Sequence, residues 1–270
     1  MKHIIFTLLV LTAFQSCSQP TPVNQNPNIT ANNLVEEIAK QVSHYNYEPI
    51  YEVYFEFGYC YIELYINDIL AYKNYGEGGG SSSFTINPYL LNFSNQTIKL
   101  RMYAREEFGE FLNNSAVKLG IGSYDNQNEF AIEKRQSNLF IYQTPEDENG
   151  FFKYAGKEYF EQTVTFTLPE VPYKIEGWKD SQDLRNFDKK LLEQKVLQAY
   201  QMIQKSFKER DLDGIAQFSF NGMKDLAIAQ YFDEEEVQEG WEDLISIAGA
   251  DNLEFYPLEN YELVFMERVD

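Results

Sequence analysis

Few residues in this chain have the type and spacing to carry chemistry. It holds two histidines and two cysteines, too few for a zinc site of His and Cys ligands, and His3 and Cys17 both fall within the first 17 residues. A Ser-His-Asp or Cys-His arrangement would therefore rest on His44, and no G-x-S-x-G turn is present to raise a serine nucleophile. Cys60 falls on the apolar register of a strand-like run, where a free cysteine acts as a small hydrophobe. Glu209, Asp211, Asp213 and Gly214 match positions one, three, five and six of a calcium loop, but the twelfth position is Phe220 where a bidentate glutamate is required. Helix capping accounts for them, and no metal or cofactor is expected. Paired-carboxylate hydrolysis has 42 acids to draw on, yet nothing distinguishes one pair from another, so an enzyme is not expected.

Binding is the better use for what remains. Twenty-two Lys and Arg against 42 Asp and Glu leave a formal charge of −20, which repels phosphate backbones and excludes nucleic acid as a partner. The acids Asp233, Glu234, Glu235, Glu236, Glu239, Glu242 and Asp243 read either as a solvated first turn that complements a helix dipole or as a docking face for a basic protein. A glycan site would instead need exposed aromatics converging on one concave face. Tyr72, Tyr75 and Trp178 are its candidates because they flank loops. Between Tyr75 and the next strand, the glycine-rich stretch 76 to 83 lacks the Lys-Ser/Thr of a phosphate loop and reads as a mobile connection.

These side chains must be positioned by strands first and helices later. Residues 32 to 43 place Leu34, Val35, Ile38 and Val42 on one helical face. From Tyr51 the period becomes two: Val53, Phe55 and Phe57, then Cys60, Ile62, Leu64 and Ile66 alternate with polar residues and tyrosines. Similar runs occupy 84 to 87, 97 to 104, 116 to 121, 138 to 143 and 161 to 168. Seven or more short strands without intervening helices predict an antiparallel sandwich or jelly roll. After Pro169, Pro172 and Gly177 the period becomes helical. Asp183 to Arg210 carries apolar residues around more than half its circumference, which predicts a helix packed on two sides. Asp211 to Asp213 cap a second helix, Asp233 with Glu236 makes a capping box for a third, and Tyr261 to Phe265 reads as a closing strand.

Residues 1 to 17, MKHIIFTLLVLTAFQSC, have signal-peptide anatomy, with nine apolar residues in the eleven from Ile4 to Phe14. At helical rise eleven residues span about half of a ~30 Å hydrocarbon core, too short for a stable span. AFQSC at 13 to 17 resembles the lipobox of bacterial lipoproteins, in the loose form common in Bacteroidota-like lipoproteins. The resemblance implies removal of residues 1 to 16 and acylation of Cys17; an ordinary signal peptide beside a free cysteine is the alternative. The polar, Pro/Asn-rich residues 18 to 33 read as a tether. Surface-exported lipoproteins of that kind resemble one another in acidic residues just after the cysteine. Residues 18 to 22 lack them, and residue 18 is not an Asp that would signal inner-membrane retention. The outer membrane, facing the periplasm rather than the cell surface, is therefore expected.

Residues 62 to 104, IELYINDILAYKNYGEGGGSSSFTINPYLLNFSNQTIKLRMYA, resemble galactose-binding-like jelly rolls in the order of a strand ending in an Asn turn, a glycine-rich loop, a short turn with a "YL" pair and a further strand. Asn67-Asp68 stands where the usual turn is Asn-Gly. The resemblance implies an architecture and no ligand. The expected organisation is a signal peptide at 1 to 16, a lipidated cysteine with tether and short helix at 17 to 45, a mainly β sandwich or jelly roll at 46 to 178, and an α-rich α+β domain at 179 to 270. The expected function is non-enzymatic binding of a basic protein by a membrane-anchored module, in an immunity or envelope-complex role, with glycan binding or carboxylate-dependent hydrolysis as alternatives.

Overall fold

A computed structural model of the chain describes residues 26–76, 79–90, 95–128, 135–175, 183–259 and 261–263. The expected signal peptide, Cys17 and Trp178 lie outside the described residues. The described residues hold eight strands, β1 (Pro49–Gly58), β2 (Cys60–Ile66), β3 (Ile69–Asn74), β4 (Gly80–Thr85), β5 (Gln96–Ala104), β6 (Ala116–Asp125), β7 (Gln136–Gln143) and β8 (Tyr159–Phe166). Four α-helices accompany them: α1 (Leu34–Ala39), α2 (Lys189–Glu209), α3 (Leu212–Gln230) and α4 (Glu234–Gly249). A β region is thus followed by an α-rich one.

The strands form two antiparallel sheets, ordered β4-β1-β6-β7 and β3-β2-β5-β8. Val53, Phe55 and Phe57 of β1 and Val117, Leu119 and Ile121 of β6 share one buried cluster with Ile62, Leu64 and Ile66 of β2 and Ile98, Leu100 and Met102 of β5. The alternation therefore has one physical cause, since each sheet turns its apolar side to the other, and each such side chain contributes roughly 2 kcal/mol by leaving water. A single residue carries the chain between the sheets at the first crossing: Tyr59 takes a left-handed backbone with φ 57° between β1 and β2. Asn67 and Asp68 (φ 47° and 67°) close the β2–β3 hairpin in the two-residue turn that needs positive φ at both positions.

Two stretches depart from the sequence reading. The glycine-serine run is not wholly a loop, because residues 80 to 83 belong to β4 and pair with β1 from Phe57 to Tyr54. β3 was hidden in what reads as a turn-rich region. Its pairing to β2 shifts register after Leu64, which breaks a simple alternation.

Helices α1, α3 and α4 build a second cluster around Leu34, Ile38, Ile215, Ala216, Phe220, Val237 and Trp241. The short N-terminal helix is therefore part of the helical unit. So is the second half of the expected tether: Ile29 is buried, Asn26 Nδ2 donates to the Gln217 carbonyl at 2.9 Å, Gln217 Nε2 returns a bond to the Ile29 carbonyl at 3.0 Å, and the Ala31 amide donates to Asp213 at 2.8 Å.

Both expected caps form. Asp211 accepts from the Gly214 amide at 3.0 Å, and Asp233 and Glu236 exchange side chain to backbone bonds of 2.9 Å as a capping box. The long helix has neighbours on two sides, but it is shorter and less buried than its apolar pattern predicts. α2 begins only at Lys189, after a 3₁₀ turn over Leu184–Asn186, and none of its residues is buried. α3 lies on one flank, and extended chain lies on the other, where Gln204 Nε2 donates to the Tyr256 carbonyl at 2.9 Å. Neither partner is broad enough to cover the apolar arc. Residues 261 to 263 are not strand, and the rest of the expected closing strand lies outside the described residues.

The helical unit is fastened to the sheets at Asn87. This fully buried side chain accepts from the Tyr51 amide at 2.7 Å and donates to the carbonyls of Pro49 (2.8 Å) and Ala229 at the end of α3 (3.1 Å). Its own carbonyl accepts from the Tyr173 hydroxyl at 2.9 Å.

Candidate functional site

The outward positions of the β3-β2-β5-β8 sheet form three ordered rows. Strand pairing puts Glu63 opposite both Lys73 and Arg101, and Arg101 opposite Glu161, so that charges alternate in sign across all four strands. One step along the same face, Tyr61, Tyr103 and Tyr159 stand opposite one another, and Tyr75, the residue after β3, joins them. On the other side of the charge row, Tyr65 faces Lys99.

The tyrosines touch in sequence. Ring centroids are 5.6 Å apart for Tyr61 and Tyr75, 6.0 Å for Tyr75 and Tyr103, and 5.3 Å for Tyr103 and Tyr159. The Tyr75 ring thus lies between those of Tyr61 and Tyr103, and Tyr75 and Tyr159 are 48% and 47% exposed, so the row opens to solvent. The hydroxyls of Tyr75, Tyr103 and Tyr159 lean toward the charge row and are held there. Glu63 accepts from Tyr75, from Tyr103 at 3.1 Å and from Tyr65 at 2.6 Å, and Glu161 accepts from Tyr159 at 2.7 Å and from Arg101 Nε at 2.6 Å. Tyr65 is covered by the cations, with Arg101 4.9 Å and Lys99 5.3 Å from its ring centre, and Lys99 is paired with Asp68 at 2.8 Å.

These contacts set the ionisation of the face. Partial burial pushes Glu63 up, but the phenol bonds from Tyr65, Tyr75 and Tyr103 and the charge of Arg101 outweigh it and leave the carboxyl below its usual value. Glu161 follows the same pattern through Tyr159 and Arg101. Burial, and then the hydrogen bond to Glu63, pushes Tyr65 up to about 12. Two carboxylates held ionised are the reverse of the raised, protonated acid that glycoside cleavage needs. Chemically, the face offers aromatic rings for stacking beside carboxylates, a guanidinium and ammonium groups for hydrogen bonding.

Among the aromatics proposed from sequence, Tyr75 lies on this face and Tyr72 does not. Tyr72 points inward, its ring 4.6 Å from Phe55 and stacked at 6.1 Å on Phe84. Tyr61, Glu63, Tyr65, Lys99, Arg101, Tyr103, Tyr159 and Glu161 were not singled out from sequence. The signal was the polar half of the alternation in 60 to 66 and 97 to 104, but the register that aligns it is set by tertiary pairing. Asp233 and Glu236 are occupied in the capping box. Glu235, Glu239, Glu242 and Asp243 are exposed on the side of α4 away from buried Val237 and Trp241, and Glu234 is exposed in its first turn.

The remaining residues weighed from sequence have local partners or are buried. His44 Nδ1 lies 3.0 Å from buried Glu48, Cys60 is buried with its thiol pushed up to about 12 by desolvation, and Asp211 and Asp213 serve the cap and the docked N-terminal stretch. Comparison with protein-family models, with curated proteins and with solved structures finds no match to this chain.

Proposed function

We propose that the chain is a non-enzymatic glycan-binding module, anchored through an acylated Cys17 to the outer membrane and facing the periplasm, with the outer face of β3-β2-β5-β8 as its ligand surface. The observation that carries this is the row of contacting rings Tyr61, Tyr75, Tyr103 and Tyr159, of which Tyr75 and Tyr159 are half-exposed and Tyr75, Tyr103 and Tyr159 are fixed by hydroxyl bonds to Glu63 and Glu161. Sugar rings bind through the stacking of their C–H faces on aromatic rings together with hydrogen bonds from their hydroxyls. Rings already immobilised lose little entropy on binding. The two-sheet architecture supports the jelly-roll resemblance as the scaffold. With residues 26 to 33 docked on the helices, the free tether is at most residues 18 to 25, which reach up to about 25 Å at ~3.1 Å per residue if extended.

Native-gel retardation of the full chain by soluble polysaccharides tests this reading. Retardation that Tyr75→Ala weakens supports it, and mobility unchanged by every polysaccharide overturns it. Fatty-acid analogue labelling that persists in Cys17→Ala would overturn the anchor.

One observation favours a basic protein partner as a second reading: α4 carries Glu234, Glu235, Glu236, Glu239, Glu242 and Asp243 and no basic residue. Such a field steers association more than it fixes affinity. Salt-sensitive recovery of one basic protein from envelope extract, lost on neutralising Glu239, Glu242 and Asp243, would favour it.

A further inference from the structure

We infer that the ligand of the tyrosine face is a single, soluble glycan chain that runs along the ring row with about one sugar per ring. The inference deepens the glycan reading and rests on it. Two observations carry it.

The first is spacing. The rings touch in the order Tyr61, Tyr75, Tyr103 and Tyr159, with centroids 5.6, 6.0 and 5.3 Å apart. These steps are close to the advance per sugar along an extended glycan. Successive sugars can therefore meet successive rings.

The second is tilt. Neighbouring ring planes are inclined by 62° (Tyr61 and Tyr75), 45° (Tyr75 and Tyr103) and 50° (Tyr103 and Tyr159). The flat surface of a crystalline polysaccharide needs coplanar rings, and here it would lie flush on only one. A free chain can turn at each glycosidic bond and follow the tilt, which accompanies the twist from strand to strand.

The test uses the full chain against a soluble neutral β-glucan and galactomannan, polygalacturonate, chitosan, and microcrystalline cellulose and chitin. An oligosaccharide length series by calorimetry follows on whichever soluble polymer binds. The expected result is binding to a soluble polymer, with affinity rising up to about four sugars, one to a ring, and then levelling. Tyr159→Ala, an exposed end of the row, should weaken binding about tenfold and move the plateau to about three sugars, and Tyr61→Ala should shorten the plateau from the other end. Binding confined to a crystalline polymer, or affinity already level at the disaccharide, overturns this inference and leaves the glycan reading standing. Failure of the unaltered chain to bind any of them overturns both.

Discussion

Tyr75, the residue after β3, donates its hydroxyl hydrogen bond to the carboxylate of Glu63 on β2, which also accepts from Tyr65 and Tyr103. Three phenols on one carboxylate make Glu63 the point at which the tyrosine row and Tyr65 are fixed to the charge row. The consequence is a stability linked to pH in one direction. Because Glu63 lies below the ordinary 4.5 when folded, its contribution is fully present above about pH 4.5 and is lost as pH falls through the lowered value.

Denaturant melts should therefore be insensitive to this group between pH 7 and 5, and should shift to lower midpoint on further acidification. Glu63→Gln, which keeps an acceptor oxygen but does not titrate, should flatten that acid limb. An acid limb of unchanged slope in the variant would show that Glu63 is not its source.

Asn87→Ala should cost about 3 kcal/mol, because it leaves the Tyr51 amide and the Pro49 and Ala229 carbonyls without their side-chain partner in a site closed to water. Asn87→Asp should not rescue it, since a carboxylate cannot donate to the two carbonyls. The measurement is equilibrium unfolding in urea. A loss under about 1 kcal/mol would mean that the helices are held to the sheets chiefly by other contacts.

The inward half of the fold was legible because burial imposes a period of two locally. Val53, Phe55 and Phe57 face inward whichever strand lies beside them. The outward half was not, because Tyr61, Tyr103 and Tyr159 line up only through two specific pairings, and a one-residue slip would turn each of them inward. Tyr72 and Tyr75 show the same limit, as both flank the glycine-rich stretch and only the pairing of Tyr72 with Leu64 reveals which faces the core. β4 was obscured for another reason. Its sequence GSSSFT has little strand propensity of its own and is held extended by β1. The caps of α3 and α4 were readable because each is completed within four residues. The docking of 26 to 33 was not, since it hangs on one apolar residue, Ile29, in a polar run.

That docked stretch gives a prediction of its own. Ile29→Asp places a charge in the cluster of Ile215, Ala216 and Phe220 and should release residues 26 to 33 from α3. Limited proteolysis should then cut within 26 to 33 in the variant and not in the unaltered chain. Equal protection in both would show that the reciprocal Asn26 and Gln217 bonds hold the stretch without Ile29.

The α4 capping box should be worth about 1 kcal/mol to Asp233→Ala. Glu236→Ala should cost less when Asp233 is already alanine, because the two bonds complete one reciprocal arrangement. Strictly additive losses in a double-mutant cycle would argue that the two bonds form independently.

Tyr72 and Tyr75, three residues apart, should separate stability from binding. Removing the Tyr72 ring takes away its contacts with Phe55 and Phe84 and leaves a void between the sheets, so Tyr72→Ala should cost about 2 to 3 kcal/mol. Tyr72→Phe keeps the ring and should bind glycan as the unaltered chain does. Tyr75 is half exposed, so Tyr75→Ala should change stability by less than about 1 kcal/mol while weakening glycan binding. The informative comparison is melting and glycan affinity for all three variants side by side. If Tyr72→Phe lost binding, or if Tyr75→Ala melted as low as Tyr72→Ala, the division between an inner packing aromatic and an outer binding one would not hold. Such a result would also remove the physical basis for placing the ligand on the outer face, because that placement depends on the Tyr75 ring being free to meet a sugar and the Tyr72 ring being spent on the core.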